Sequence, residues 1–92
     1  MSDLSRAEVI KLIEENETPI DLSGLNLCKI DLSGLNLTKV NFEETKLKSA
    51  KFIQANLSGV DLWLVDLNWA DFYCPNLDGA NLNQANLAAI HY

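Results

Sequence analysis

The stretch Ile20–Lys39 reads IDLSGLNLCKIDLSGLNLTK, a ten-residue phrase given twice with one change, Cys28 against Thr38. Within it the leucines stand five apart, at Leu22, Leu27, Leu32 and Leu37. An amphipathic helix places apolar residues three and four apart, and a half-buried strand places them every second residue. A period of five belongs to neither.

The count runs on through Phe42, Leu47, Phe52, Leu57, Leu62, Leu67, Phe72, Leu77, Leu82 and Leu87, and Tyr92 falls in the same register. Fourteen consecutive centres therefore hold Leu or Phe, with no insertion. An internal repeat of this kind decides a fold before local propensity does. Two residues before each centre the side chains are mostly small or aliphatic, with Thr45 and Pro75 as departures. One residue before stands Asp or Asn in twelve of the fourteen repeats, Lys46 and Lys51 being the exceptions. The two residues after the centre are mostly polar or Gly.

Side chains alternate along extended backbone, so the centre and the residue two before it share one face. The Asp or Asn between them takes the other. Strict alternation over five residues would put the next centre on the wrong face, so each repeat must turn a corner. Gly24, Gly34, Gly59 and Gly79 all occupy the last place of the five, where an unusual backbone angle is easiest for glycine. Each pentapeptide becomes one side of a prism, and the chain winds as a solenoid. The Asp and Asn side chains are expected to bond nearby backbone groups at the turns rather than to bind metal or carbohydrate.

The pattern of a small residue, Asp or Asn, Leu and two variable positions resembles the pentapeptide-repeat family across residues 20–92. The resemblance implies an all-β solenoid, a right-handed quadrilateral β-helix with four pentapeptides per coil, here about 3.5 coils. Residues twenty apart would then stack. That register sets Phe52 beneath Phe72, each with an alanine two residues before it (Ala50, Ala70). It sets Lys51 between Asp31 and Asp71 and Lys46 beside Asp66, where each lysine relieves a column of like charge.

Before Ile20 the period changes. Ser5 and Glu8 have the spacing of a capping box, and Leu4 with Val9 that of a hydrophobic staple. Val9, Ile10, Leu12 and Ile13 give a helical apolar face from about Arg6 to Asn16, ended by Pro19. Residues 1–19 are read as a helix that caps the first ring of the 20–92 solenoid, since solenoid ends need covering. The last ring has no such cover, so a homodimer through the C-terminal coil is expected. Pro75 fits if its missing N–H would have pointed toward residue 95, beyond the chain.

The net charge of −6 argues against nucleic acid as a partner. Four glutamates against Arg6 and Lys11 in the helix argue against a membrane surface. The N-terminus lacks the features of a secretory leader, so a cytoplasmic location is expected and the sequons at Asn36 and Asn56 are read as accidents of the repeat. No catalytic residues, metal site or cofactor are expected: His91 is the sole histidine, beside Asp71 in the stack, and Cys28 and Cys74 fall on different sides of different coils.

The expected function is non-enzymatic, a small rigid protein-interaction module. The alternatives are a DNA mimic that inhibits a topoisomerase, as some members of the family are, or a purely structural unit. Mimicry fits poorly: a stack roughly 15 Å tall spans less than half of a ~34 Å duplex turn, and residues 20–92 hold eight acids against five lysines. The candidate contact residues are Trp63, Leu64, Trp69 and Tyr73, large side chains at outward positions of the third coil. The alternative for them is that they lie over Lys48, Ser49 and Ile53 of the coil below.

Overall fold

The structure, a computed structural model, describes residues 2–16 and 19–92. Met1, Glu17 and Thr18, which belong to the 1–19 segment, lie outside the described residues. Helix α1 spans Arg6–Glu15, with short strands β1 at Ile20–Asp21 and β2 at Val40–Asn41. The strands pair in parallel, Ile20 with Val40 and Asp21 with Asn41. Single parallel bridges carry the same offset of twenty along the chain: Asn26 to Lys46 to Asp66 to Asn86, Asp31 to Lys51 to Asp71 to His91, and Asn36 to Asn56 to Asn76. The extended segments are only one or two residues long because a corner follows each centre.

Backbone hydrogen bonding shows how the pentapeptide makes this register. The N–H of a centre donates to the carbonyl nineteen residues on, as from Leu22 to Asn41 (3.0 Å) and from Phe52 to Asp71 (2.8 Å). The N–H two residues after the centre does the same, Gly24 to Glu43 at 2.9 Å. The residue before a centre donates the other way, Lys46 to Leu25 at 2.9 Å. The residue two before a centre closes the corner, Leu25 N–H to Leu22 carbonyl at 3.3 Å. That three-residue closure needs positive φ at the third turn position. The four glycines have φ of 70–73° there, and among the described residues nine others adopt positive φ, every one in the last place of the five.

The centres from Leu22 to Phe72 are buried, joined by Ile20, Ile30, Val40, Ala50, Ala55, Val60, Val65 and Ala70. The rings of Phe52 and Phe72 stack with centroids 4.9 Å apart and planes 10° from parallel, and Phe42 meets Phe52 edge-on at 6.4 Å. Ala50 and Ala70, both fully buried, leave space for those rings. Thr45, at an inward position, donates its hydroxyl to the Leu22 carbonyl at 3.0 Å, so the buried polar group is satisfied.

Helix α1 begins with the full capping box of Ser5 and Glu8 and buries Val9 completely in the solenoid core. Its end differs from the expectation. The helix stops at Glu15, and Asn16 turns extended while its side-chain amide donates to the Leu12 carbonyl at 2.8 Å. Termination is thus made by Asn16, ahead of Pro19. The residues before the helix and its first residue, Arg6, dock on the first ring. Asp3 N–H donates to the Asn26 carbonyl (2.7 Å), and its carboxylate accepts from Asn26 N–H (2.8 Å). Ser2 donates to the Cys28 carbonyl at 3.0 Å and Arg6 to the Asp31 carbonyl at 2.9 Å.

Pro75 does not fit the expectation of a missing donor aimed at residue 95. Donors at its place in the repeat bond back to the preceding centre, as Ala55 to Phe52 and Ala80 to Leu77 do. Pro75 therefore forgoes the bond that closes its own corner, not one directed at a further coil. Cys74 keeps the positive φ of the turn, 52°, without it.

Replacing the stacked ring tests the core. Phe52→Ala should lower unfolding stability by about 3–5 kcal/mol, read from urea denaturation, because its neighbours are tied by the ladder and cannot collapse into the space. A loss below about 1 kcal/mol would contradict this packing.

Candidate functional site

Twelve Asp and Asn side chains precede the centres, and all twelve accept from the N–H two residues on, at 2.9–3.2 Å. The column is turn chemistry: it supplies the acceptor for the one N–H of each pentapeptide that the ladder does not use. Where Lys51 stands instead, the Ile53 N–H finds Ser33 Oγ of the level below at 3.0 Å. Among the described residues no group of three or more His, Cys, Asp or Glu side chains is placed to hold a metal ion.

Two carboxyls show the electrostatics of the column. The Ser23 hydroxyl and N–H hold Asp21 below the usual carboxylate range. The Ser33 N–H and hydroxyl do the same for Asp31, helped by the nearby charges of Arg6 and Lys51; Arg6 Nη1 lies 3.6 Å from Asp31 Oδ1. His91 Nδ1 lies 3.5 Å from Asp71 Oδ1 on a neighbouring level. The cysteines are free, Cys28 half-buried and Cys74 exposed. No helix among the described residues is long and apolar enough to cross a membrane.

The outward residues singled out from the sequence are exposed: Trp63 by 43%, Leu64 by 47%, Trp69 by 61% and Tyr73 by 55%. Leu64 and Trp69 sit in the last places of successive pentapeptides, at φ of 61° and 66°. They stand at the two edges of the face formed by residues 65–69. Trp63 adjoins Leu64 and Tyr73 lies one corner beyond Trp69, so the four line successive corners instead of forming one cluster. An open groove of about 510 Å³ runs beside Leu64, with Lys46, Lys48, Cys28 and Asp66 among its walls.

Two further surfaces are open. A concavity of about 220 Å³ is lined by Phe72, Leu77, Leu82, Leu87, Ile90 and Tyr92, where Leu77 and Leu82 are half-buried and Leu87 is exposed. Another, of about 370 Å³, includes Lys39, Asn41, Gly59 and Asp61.

The family model described as pentapeptide repeats (8 copies) matches residues 20–52 and 50–87. The chain belongs to the pentapeptide-repeat family. Its fold is similar to that of HetL, a pentapeptide-repeat protein involved in regulating heterocyst differentiation in the cyanobacterium Nostoc sp. strain PCC 7120, with a TM-score of 0.73 and 28% identity over 76% of this chain and 33% of HetL. It is also similar to a pentapeptide-repeat protein of the Arabidopsis thaliana thylakoid lumen, with a TM-score of 0.52 and 28% identity over 82% of this chain and 45% of that one. The chain thus spans about a third of the first structure and under half of the second. A search of curated protein sequences finds no match.

Within this pentapeptide-repeat unit the sequence pattern locates the outward aromatics but not the docking roles of Ser2, Asp3 and Arg6. Nothing in the spacing of those residues announces them. The Ser33 and Thr45 bonds have a weak signal, since Ser33 stands one level from the irregular Lys51 and Thr45 itself breaks the repeat.

The carboxylate column makes a pH prediction. Asp21 and Asp31 have folded-state pKa values below their unfolded values, so their contribution is present above the unfolded value of about 3.9 and is lost as pH falls through the lowered one. Asp21→Asn with Asp31→Asn keeps the turn acceptors, as Asn26 and Asn36 show. That variant should keep the fold at neutral pH and lose less stability than the parent as pH falls below about 4. Equal acid sensitivity in urea titrations would contradict it.

Proposed function

We propose that this unit is a non-enzymatic, rigid protein-interaction module of the cytoplasm, built as about three and a half coils of a right-handed, four-sided β-helix. The observation that carries the reading is the placement of Trp63, Leu64, Trp69 and Tyr73. Among the described residues they are the large, exposed apolar and aromatic side chains, apart from Leu87 and Tyr92 of the open last ring. Exposed aromatics of this size are the usual anchors of protein interfaces. The twelve Asp and Asn side chains are already committed to backbone N–H groups, which leaves the corners to meet a partner. The test is capture from a cytoplasmic extract with the parent and with Trp63→Ser combined with Leu64→Ser. The variant should melt like the parent and lose the proteins the parent retains; an unchanged set of captured proteins would reject the patch as the contact.

A second contact has its own observation. Around Leu77, Leu82, Leu87, Ile90 and Tyr92 the apolar ring stays open, with Tyr92 86% exposed. A second copy of the chain meeting this ring through its own would cover both. Sedimentation should show mass rising with concentration for the parent and a constant monomer mass for Leu87→Lys. A parent that stays monomeric at ~1 mM, where even a dissociation constant near 1 mM would show, removes the dimer.

A further inference from the structure

The two ends of the solenoid carry opposite halves of one ladder. At the last ring the N–H groups of Leu77, Gly79, Leu82, Gln84, Leu87 and Ala89 donate to no carbonyl among the described residues. One coil lower, the N–H groups at the same places donate to carbonyls nineteen residues on, as Leu57 does to Asn76, Gly59 to Asp78 and Leu62 to Asn81. At the first ring it is carbonyls that face outward, and the N-terminal segment takes three of them. Asp3 N–H bonds Asn26, the Ser2 hydroxyl bonds Cys28 and the Arg6 guanidinium bonds Asp31. The Asp3 carboxylate takes the Asn26 N–H, and Val9 is fully buried against the core.

The pentapeptide is alike on every side, so a second copy can follow the last ring as the next coil of the same ramp. In that register the copy's Leu22, Leu27 and Leu32 stand over Leu77, Leu82 and Leu87. The offset of nineteen then runs from Leu82 N–H to the copy's Asn26 carbonyl, from Gln84 N–H to its Cys28 and from Leu87 N–H to its Asp31. The copy's Asn26 N–H meets the Ala80 carbonyl. Those three carbonyls and that N–H are the groups that Ser2, Asp3 and Arg6 occupy. On the outer ladder the copy's Asp21, Asn26 and Asp31 fall over Asn76, Asn81 and Asn86, so no like charges oppose each other.

We infer that residues 2–15 form a removable plug that keeps copies of this chain from stacking head to tail, and that the last ring accepts the first ring of a second copy once the plug lifts. Continuity with the coil-to-coil contact selects that occupant, because the same hydrogen bonds and the same leucine columns already join each level to the next. A head-to-tail contact leaves a donor edge free on the far copy, so stacking is open-ended. A ring-to-ring pair sets like surface on like and closes at two copies. The inference rests on the reading of the last ring as a contact surface, and it names a different face of the copy as what meets it.

Two variants lift the plug by separate means. Asp3→Ala with Arg6→Ala removes the clasp and keeps Val9; Val9→Asp places a charge where the core takes an apolar group. Amide hydrogen exchange in α1 reports the plug, circular dichroism the solenoid, and sedimentation the mass. The parent should keep α1 protected and stay within twice the monomer mass. Both variants should lose α1 protection, and their mass should pass twice the monomer's and keep rising with concentration. Adding Leu87→Lys to either should restore the monomer. A folded variant with α1 unprotected that stays monomeric, or that stops at two copies, overturns the inference; the pair of copies would leave the ring-to-ring contact standing. Protection of α1 that survives in both variants overturns it, as does a parent that stacks beyond two copies with α1 protected. If Val9→Asp unfolds the solenoid, the clasp variant decides by the same readings.

Discussion

The N–H of each central Leu or Phe donates to a carbonyl nineteen residues further on, and the N–H two places later repeats the offset. The N–H before the centre donates in the opposite direction, and the one before that closes the preceding corner. The fifth, immediately after the centre, goes to its own Asp or Asn oxygen. Every donor of the pentapeptide has an address, which is what a narrow stack with a dry interior requires, since an unpaired buried N–H costs as much as a lost hydrogen bond. Three consequences follow from that accounting. The period cannot drift, the Asp or Asn cannot be freely replaced, and the interior side is reserved for two residues of each five.

This is why most of the fold is legible in the sequence. The centres, the small residues before them and the acceptor column are each demanded at fixed places, and the run from Leu22 to Leu87 repeats the demand fourteen times. The stacking of Phe52 on Phe72 is readable because a ring needs the space that Ala50 and Ala70 leave. Departures from the repeat are less readable. Asking which neighbour Pro75 lacks points to a further coil, but its position in the repeat serves the corner, so the bond it forgoes is local. The role of Ser33 is invisible because its bond compensates for Lys51, which belongs to the next level. The candidate site is legible only as exposure: a side chain that the pattern turns outward is identifiable, whereas the partner it meets leaves no periodic trace.

The corners carry a tension that the ladder resolves. Nine residues with side chains hold positive φ, each at a cost on the order of 1 kcal/mol relative to a relaxed backbone. At Lys29, Ser49, Gln54, Leu64 and Trp69 the N–H at that place bonds to the next level and holds it; Trp69, for example, donates to the Ala88 carbonyl at 3.1 Å. A corner can therefore accept a bulky residue without loss of fold wherever a coil lies above it. Leu64 and Trp69 use that tolerance at successive corners, whereas Gly59 and Gly79 keep the unstrained solution elsewhere.

The same accounting makes the two ends of the stack unlike. Toward higher residue numbers each pentapeptide presents two N–H donors and one carbonyl; toward lower numbers it presents two carbonyls and one N–H. At the first ring the surplus is of acceptors, and the N-terminal segment answers with donors: Asp3 N–H to Asn26, the Ser2 hydroxyl to Cys28 and the Arg6 guanidinium to Asp31. The Asp3 carboxylate meets the one N–H of that pentapeptide facing the same way. Asp3 therefore does for Asn26 what a residue of a preceding coil would do. At the ring around Leu82 and Leu87 the surplus is of donors. Two copies meeting ring to ring would set donor surplus against donor surplus, so continuation of the ladder cannot hold such a pair. Its stability would have to come from the apolar side chains of Phe72, Leu77, Leu82, Leu87 and Ile90.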